Sequence, residues 1–327
     1  MKHLIYCPFS GLGLHNGFRG NAWLKNRIQI FKQFVLLSLK AQTKQDFILW
    51  ISWRWEEKNN PIVEEFIKDL NDLLPYFKII HTFSGVCFYD DKYPDEVARD
   101  RLITAIHGAL PDLLDAISGA NYILMTIQPS DDCYHKTTVE SLQKLFRYNP
   151  QFQAVGFQQG YICNYNTKEL AEYNPETNPP FYTLKFPYDT FIDPLEHIKY
   201  TALKQDSGKY KVGTPLPSHE YVGECLKYAL IKNMRGFLVG THGANISTTF
   251  SNPYKGKEIV NYQQGNFLQK KIVLEGFGIQ DAPVLKLKIS PFKKIFLKFP
   301  HPVQRKLKYI FFEWKVFKLS TWPRLIK

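Results

Sequence analysis

The stretch NYILMTIQPSDDCYHKTTVESL, Asn121 to Leu142, decides how the chain folds. Tyr122 to Thr126 is a short apolar, β-branched and aromatic run, the pattern of a buried strand. Pro129 and Ser130 end it, Asp131 and Asp132 follow at once, and helical spacing begins at Thr137. Two adjacent carboxylates therefore stand at the C-terminal end of a strand, ahead of a helix. Open α/β sheets bind ligands in the crevice beyond such strand ends. Neighbouring carboxylates repel unless water, a base or a cation compensates them. A hard divalent ion shared with substrate phosphates would do so. An exposed Asp-Asp turn at a helix N-cap would need no ligand at all.

Working outward, His3 to Pro8 reads as a first strand, followed by the Gly-rich loop SGLGLHNGFRGN from Ser10 to Asn21. Such a loop lets backbone approach a ligand closely, although it lacks the GxGxxG spacing. Trp23 to Leu39 has helical spacing, with Leu24, Ile28, Phe31, Val35 and Leu39 on one face. Arg27 falls on another face, where a surface ion pair is the expectation. Phe47 to Ser52 and Tyr76 to Thr82 read as strands, with a helix from Pro61 to Leu73 between them. A long helical region opened by Pro94, Asp95 to Ile117 with an interruption near Pro111, leads to the Asp131 strand. This alternation predicts a mostly parallel sheet with helices on both faces.

After the Asp pair, Phe152 to Cys163 alternates like an antiparallel ribbon, and a Pro- and Asn-rich excursion runs from Asn164 to Pro187. Pro217 to Leu230 has the pattern of a helix capped by Ser218. Gly236 to Ile246 reads as a strand entering a Gly-rich turn that carries His242.

The chain has 327 residues, enough for one large domain or two. Its five cysteines are scattered, which argues for a reducing compartment and against a disulfide framework or zinc site. The N-terminal residues read as a strand and not as a signal peptide. No apolar stretch approaches the roughly 20 residues of a membrane span. Charge is unevenly spread. From Val284 to Lys327 there are twelve Lys and Arg against one acid, Glu313, so nearly all of the net +12 lies in that tail. Phe292, Ile295, Phe296 and Phe299 share one helical face there, and Val303, Leu307, Ile310, Trp314 and Phe317 another. A basic amphipathic tail of this kind suits an anionic membrane surface. Nine aromatics interleave its bases, a pattern that nucleic-acid binders also show, so a non-enzymatic α/β protein with a nucleic-acid-binding tail is the competing expectation.

The ordered phrases SLKAQTKQDFILWIS (Ser38 to Ser52), EVARDRL (Glu96 to Leu102), Ser130-Asp131-Asp132 and THGANIST (Thr241 to Thr248) resemble the GT-A nucleotide-sugar glycosyltransferases. More closely, they are similar to the rhamnosyltransferase family of bacterial surface-glycan enzymes. The resemblance spans about Met1 to Tyr262 and implies a GT-A-like, Rossmann-like domain over residues 1–265. Its donor half would be about 1–150 and its acceptor half about 151–265, with a linker and basic tail over 266–327. It implies Mn²⁺ or Mg²⁺ at Asp131, with His242 completing the metal or diphosphate site. Asp132, Arg27, and Arg99 and Asp100 of the ARD triplet would face the donor. The family usually has a further Asp two residues before the metal-binding one; here that place is Pro129, which removes a carboxylate expected at the donor ribose. The implied partners are a nucleotide-sugar donor and a glycan or lipid-linked acceptor, with the enzyme peripheral on the inner face of the cell membrane.

The chemistry asks for the same residue types. Sugar transfer from a nucleotide diphosphate leaves negative charge on the departing phosphate, which a cation stabilises. His242 could ligate that cation, bond the phosphate, or simply be satisfied by its turn. Inverting transfer also needs a group to accept the acceptor hydroxyl's proton, and Asp193 or Glu220 is the expected base among Asp189, Asp193, Glu196, His197, His219 and Glu220.

Overall fold

The computed structural model describes residues 1–10, 12–13, 20–87, 108–175, 181–201, 222–242 and 267–287. β1 (Lys2–Cys7), the two-residue β2 (Leu12–Gly13), β3 (Ile48–Arg54) and β4 (Lys78–Cys87) alternate with helices α1 (Asn21–Ile30), α2 (Leu36–Lys40) and α3 (Pro61–Leu73). Helix α4 (108–117) leads into β5 (Tyr122–Ile127), the strand that ends before the Asp pair. The short β6 (Cys133–Tyr134), α5 (Thr138–Tyr148), β7 (Ala154–Asn164) and β8 (Glu169–Tyr173) follow. Then come β9 (Tyr182–Pro187), α6 (Tyr188–Ile192), α7 (Pro194–Thr201), α8 (Val222–Cys225), β10 (Tyr228–Thr241) and α9 (Phe267–Gly276).

The described strands form one sheet in the order β2-β4-β3-β1-β5-β9-β7-β10-β6, with β8 paired to β7 off that path. Following the pairings, β2, β4, β3, β1, β5, β7 and β10 all point one way. Only β9, β6 and β8 oppose them. The mostly parallel expectation therefore describes strand direction, and five of the nine pairings among the described strands are parallel. β9 lies antiparallel between β5 and β7, in the middle of the sheet. That is a correction, because this strand sits inside the stretch read as a Pro- and Asn-rich excursion. A second correction concerns Tyr228 to Leu230, expected to be helical but part of β10.

Successive strand residues point to opposite faces, and the core divides accordingly. Leu4, Tyr6, Ile48, Trp50, Ile123 and Met125 pack with α4 on one side. Ile5, Cys7, Leu49 and Ile51 pack on the other, against Leu24 and Phe31 and against Val63 and Phe66 of α3. In α3, Asn60 accepts a hydrogen bond from the Ile62 N–H and Pro61 opens the first turn, so the end is capped without loss of a needed donor. The expected apolar face of the first helix is wholly buried. A π-helical turn, Phe31–Val35, joins α1 to α2. Phe34 of that turn stacks on Tyr165, with ring centroids 3.6 Å apart.

A polar chain crosses the core. Gln143 Nε2 donates to the Asp46 carbonyl and to His3 Nδ1. The first bond fixes the amide's orientation, so His3 must carry its proton on Nε2, which donates to Thr126 Oγ1 at 2.7 Å. Burial, with Lys44 adding to it, lowers the His3 pKa to about 3.

One compact unit runs from Met1 to Leu285. Its last segment closes over the Asp-pair hairpin: Lys136 N–H donates to Gly276 O, and Leu285 N–H to Tyr165 O. Among the described residues no helix is long and apolar enough to cross a membrane. The basic tail beyond Leu287 lies outside the described residues, as does the amphipathic reading placed on it.

Candidate active site

β1 is bordered by β3 on one side and β5 on the other, and the chain goes to β3 and β4 before crossing back to β5. That reversal is the switch point at which open α/β sheets hold ligands. Asp131 lies just past β5 at this point. Because β7 and β10 run in the same direction as β5, their C-terminal ends reach the same edge, bringing Tyr165 and His242 to the Asp pair.

The loop carrying the carboxylates is tied down from several sides. Gln128 N–H donates to Tyr6 O at 2.7 Å, and Gln128 Nε2 donates to the carbonyls of Pro129 and Asp132, each at 2.8 Å. Tyr165 O–H donates to the Asp131 carbonyl at 3.0 Å. Gly240 N–H donates to Asp132 Oδ1 at 2.8 Å. Arg27 Nη1 forms an ion pair with Asp131 Oδ2, and His242 Nε2 donates to the same oxygen at 3.1 Å. Side-chain exposure is 7% for Arg27, 17% for Asp131 and 1% for His242.

Arg27 is thus a correction. Its expected surface ion pair is a buried one, reached across the crevice from α1, with the guanidinium 5.5 Å from the Trp23 ring centroid. The compensation that two adjacent carboxylates require is supplied here by a base. It separates the pair chemically. Burial alone would raise Asp131, but Arg27, joined by His242, holds it well below the usual carboxylate range. Burial and then the Asp131 charge push Asp132 well above that range, against the pull of Gly240 N–H. The two neighbours are thus driven in opposite directions, Asp131 down and Asp132 up.

Gly240 is the residue that permits this closeness. A Cβ built there would lie 2.3 Å from the Asp131 carbonyl oxygen and 2.3 Å from Tyr165 Cε2. Gly240→Ala should therefore force β10 away from the Asp loop, costing about 1–3 kcal/mol as an overpacked core site does. Urea unfolding reads this directly, and a wild-type midpoint would contradict the packing.

The other expected residues separate by place. Asp193 is a correction. It is exposed, and its Oδ1 accepts from the N–H groups of Leu195 and Glu196, capping α7. It also follows β9, whose C-terminal Pro187 pairs with Tyr122 at the start of β5, so it stands at the opposite edge of the sheet from Asp131. Asp189, Glu196 and His197 share that edge, and His197 is buried against Phe186. Arg99, Asp100, His219 and Glu220 lie outside the described residues. Sequence reasoning missed Tyr165, Gln128 and Gly240. The Gly-Thr-His-Gly phrase around His242 was the one available signal, for Gly240 alone.

At the Asp131 edge, where β1 and β3 end, Ser10 donates to buried Glu57, and Arg54 N–H donates to Glu57 Oε2 at 3.2 Å. Burial raises the Glu57 pKa, opposed by both bonds.

A divalent ion brought to this pair would have to share oxygens that are already engaged. No three His, Cys, Asp or Glu side chains among them converge as a metal centre. Asp131 Oδ2 is already held by two donors, and Asp132 Oδ1 by a third.

No family model matches the chain, and no curated protein does. Among solved structures it is similar to S. aureus TarS at 11% identity and a TM-score of 0.37, covering 74% of this chain and 37% of that one. TarS residues 1–349 give 12% and 0.37, covering 73% of this chain and 60% of that one. A protein of Desulfovibrio desulfuricans G20 described as a nucleotide-diphospho-sugar transferase gives 12% and 0.32, covering 73% and 80%. This chain thus spans about a third to three fifths of the TarS chains it matches. None of the three supplies a residue role, substrate or cofactor here.

Proposed function

We propose that the protein is a nucleotide-sugar glycosyltransferase of GT-A-like architecture. The observation that carries this reading is the Arg27–Asp131–His242 cluster at the switch point of the sheet, where a donor diphosphate would lie. The motif order that resembles the rhamnosyltransferase family supports it and suggests rhamnose as one donor sugar to test. In the reaction, the acceptor hydroxyl oxygen bonds to the anomeric carbon while the bond from that carbon to the diphosphate oxygen breaks. The electron pair leaves on the phosphate, and the hydroxyl proton passes to a base. With Asp193 at the far edge, Glu220 is the candidate that the sequence offers for that base. Direct attack of this kind inverts the anomeric centre.

Turnover of a panel of nucleotide sugars, with water as acceptor, tests the proposal. One donor should be hydrolysed, and Asp131→Asn should reduce that rate by about 10²-fold or more, since the charge that positions Arg27 is lost. Hydrolysis of none, or an unchanged rate in Asp131→Asn, would reject the assignment. In a competing version Asp131 and Asp132 would hold Mn²⁺ or Mg²⁺, which would supply Lewis-acid stabilisation of the departing phosphate; the observation in its favour is that the two carboxylates lie close enough for the Asp131 charge to raise Asp132.

The basic tail belongs to the same proposal as a tether to an anionic membrane bearing a lipid-linked acceptor. Each engaged base is worth about 1 kcal/mol at such a surface. The full chain should pellet with anionic vesicles and release in high salt, and a chain ending at Leu287 should not pellet. That end point is chosen because Leu285 still bonds Tyr165. Pelleting of both chains would reject the tether, and capture by nucleic acid instead would favour the competing reading.

A further inference from the structure

We propose that this site binds its diphosphate ligand without a divalent cation, Arg27 holding the position that the ion would take. The inference rests on the nucleotide-sugar reading and narrows it. A bridging ion needs carboxylate oxygens open toward the crevice. Here the Asp131 oxygen that faces the cluster is shared by a guanidinium and an imidazole. The neighbouring Asp132 Oδ1 is turned toward Gly240 N–H. A divalent ion brought to Asp131 would also meet the Arg27 charge at close range and be repelled.

The arrangement suits an anion better. A guanidinium carries five N–H donors, and the contact to Asp131 goes through Nη1. Its planar fork matches phosphate oxygens and keeps its charge at any working pH. Asp131 acts as a positioning residue in this scheme, an internal counter-ion that aims Arg27 and His242. Tyr165, Gln128 and Gly240 fix Asp131 in turn.

The experiment measures affinity for inorganic pyrophosphate and for several nucleoside diphosphates by tryptophan fluorescence, in EDTA and in Mn²⁺, alongside Mn²⁺ binding by EPR. Affinity should agree within about twofold between the two conditions. The double variant Arg27→Gln/Asp131→Asn, which keeps a neutral hydrogen-bonding pair and so a foldable core, should bind at least about tenfold more weakly. Binding that requires Mn²⁺, with a bound-Mn²⁺ signal lost in Asp131→Asn, overturns the inference and leaves the nucleotide reading standing. Pyrophosphate binding in EDTA with no nucleoside diphosphate bound supports the anion site and rejects that reading. No binding under any condition overturns both.

Discussion

Replacing Arg27 with methionine should destabilise the protein by about 3–5 kcal/mol, the usual cost of leaving one member of a buried ion pair without its partner. Methionine fills much of the arginine stem's volume, so the loss is electrostatic more than steric. Asp131 would then stand beside Asp132 with His242 as its only remaining side-chain partner in the cluster. Two buried carboxylates cannot both stay ionised there, and one must take a proton or drag water in. Adding Asp131→Asn to Arg27→Met should recover most of the loss, because the stranded charge is gone. Urea denaturation of the two variants and wild type gives the coupling directly. If the double variant is no more stable than Arg27→Met alone, the pair is not what sets the cost.

His3 should begin to withdraw stability as pH falls through about 6.5, well above the ordinary carboxylate range, while Asp132 and Glu57, raised in the folded state, act in the opposite sense. His3 has a folded pKa lowered to about 3 by burial, and an ordinary value near 6.5 once unfolded. A depressed histidine leaves the folded state neutral while the unfolded chain takes up a proton. Its contribution is therefore fully present above pH 6.5 and is lost as pH falls toward 3. The slope is about 1.4 kcal/mol per pH unit for one such group. His81, lowered by burial to about 4 and accepting from Trp53 Nε1 through Nδ1, adds a second increment over pH 6.5 to 4. His3→Gln keeps a donor for Thr126 and removes the titration, so its stability should fall less steeply between pH 7 and 5. Parallel curves for variant and wild type would show that His3 is not the group responsible.

Much of this architecture is legible in the chain because burial and local spacing agree. Leu4 to Cys7, Ile48 to Ser52 and Ile123 to Ile127 are wholly buried runs, and α3 begins and ends where Pro61 and Leu73 place it. β9 was hidden because its short run YTLKFP is bracketed by prolines and asparagines, and its hydrogen bonds come from strands far along the chain. Tyr228 to Leu230 carried an apolar spacing that serves either a helix or a strand, and pairing with β7 decided for the strand. Asp131 was readable from its strand end. Arg27 was not, since a helical wheel shows only that it leaves the apolar stripe and says nothing of a partner beyond the crevice. Asp193 failed for a topological reason: its loop follows a strand that runs backward, and direction is not written in the residues themselves.

The cluster draws one residue from the first helix, one from the end of a central strand and one from the last strand of the sheet, and His242 and Asp131 are 111 positions apart. Such contacts close late, after the long intervening loops have lost their freedom. The unfolded chain thus has no fragment of this site, and a ligand that engages it binds the native state alone. Binding must then appear as added resistance to unfolding of the whole domain, about 2.7 kcal/mol at a ligand concentration a hundred times Kd. A thermal-shift survey of phosphorylated metabolites would reveal the natural ligand before any reaction had been found.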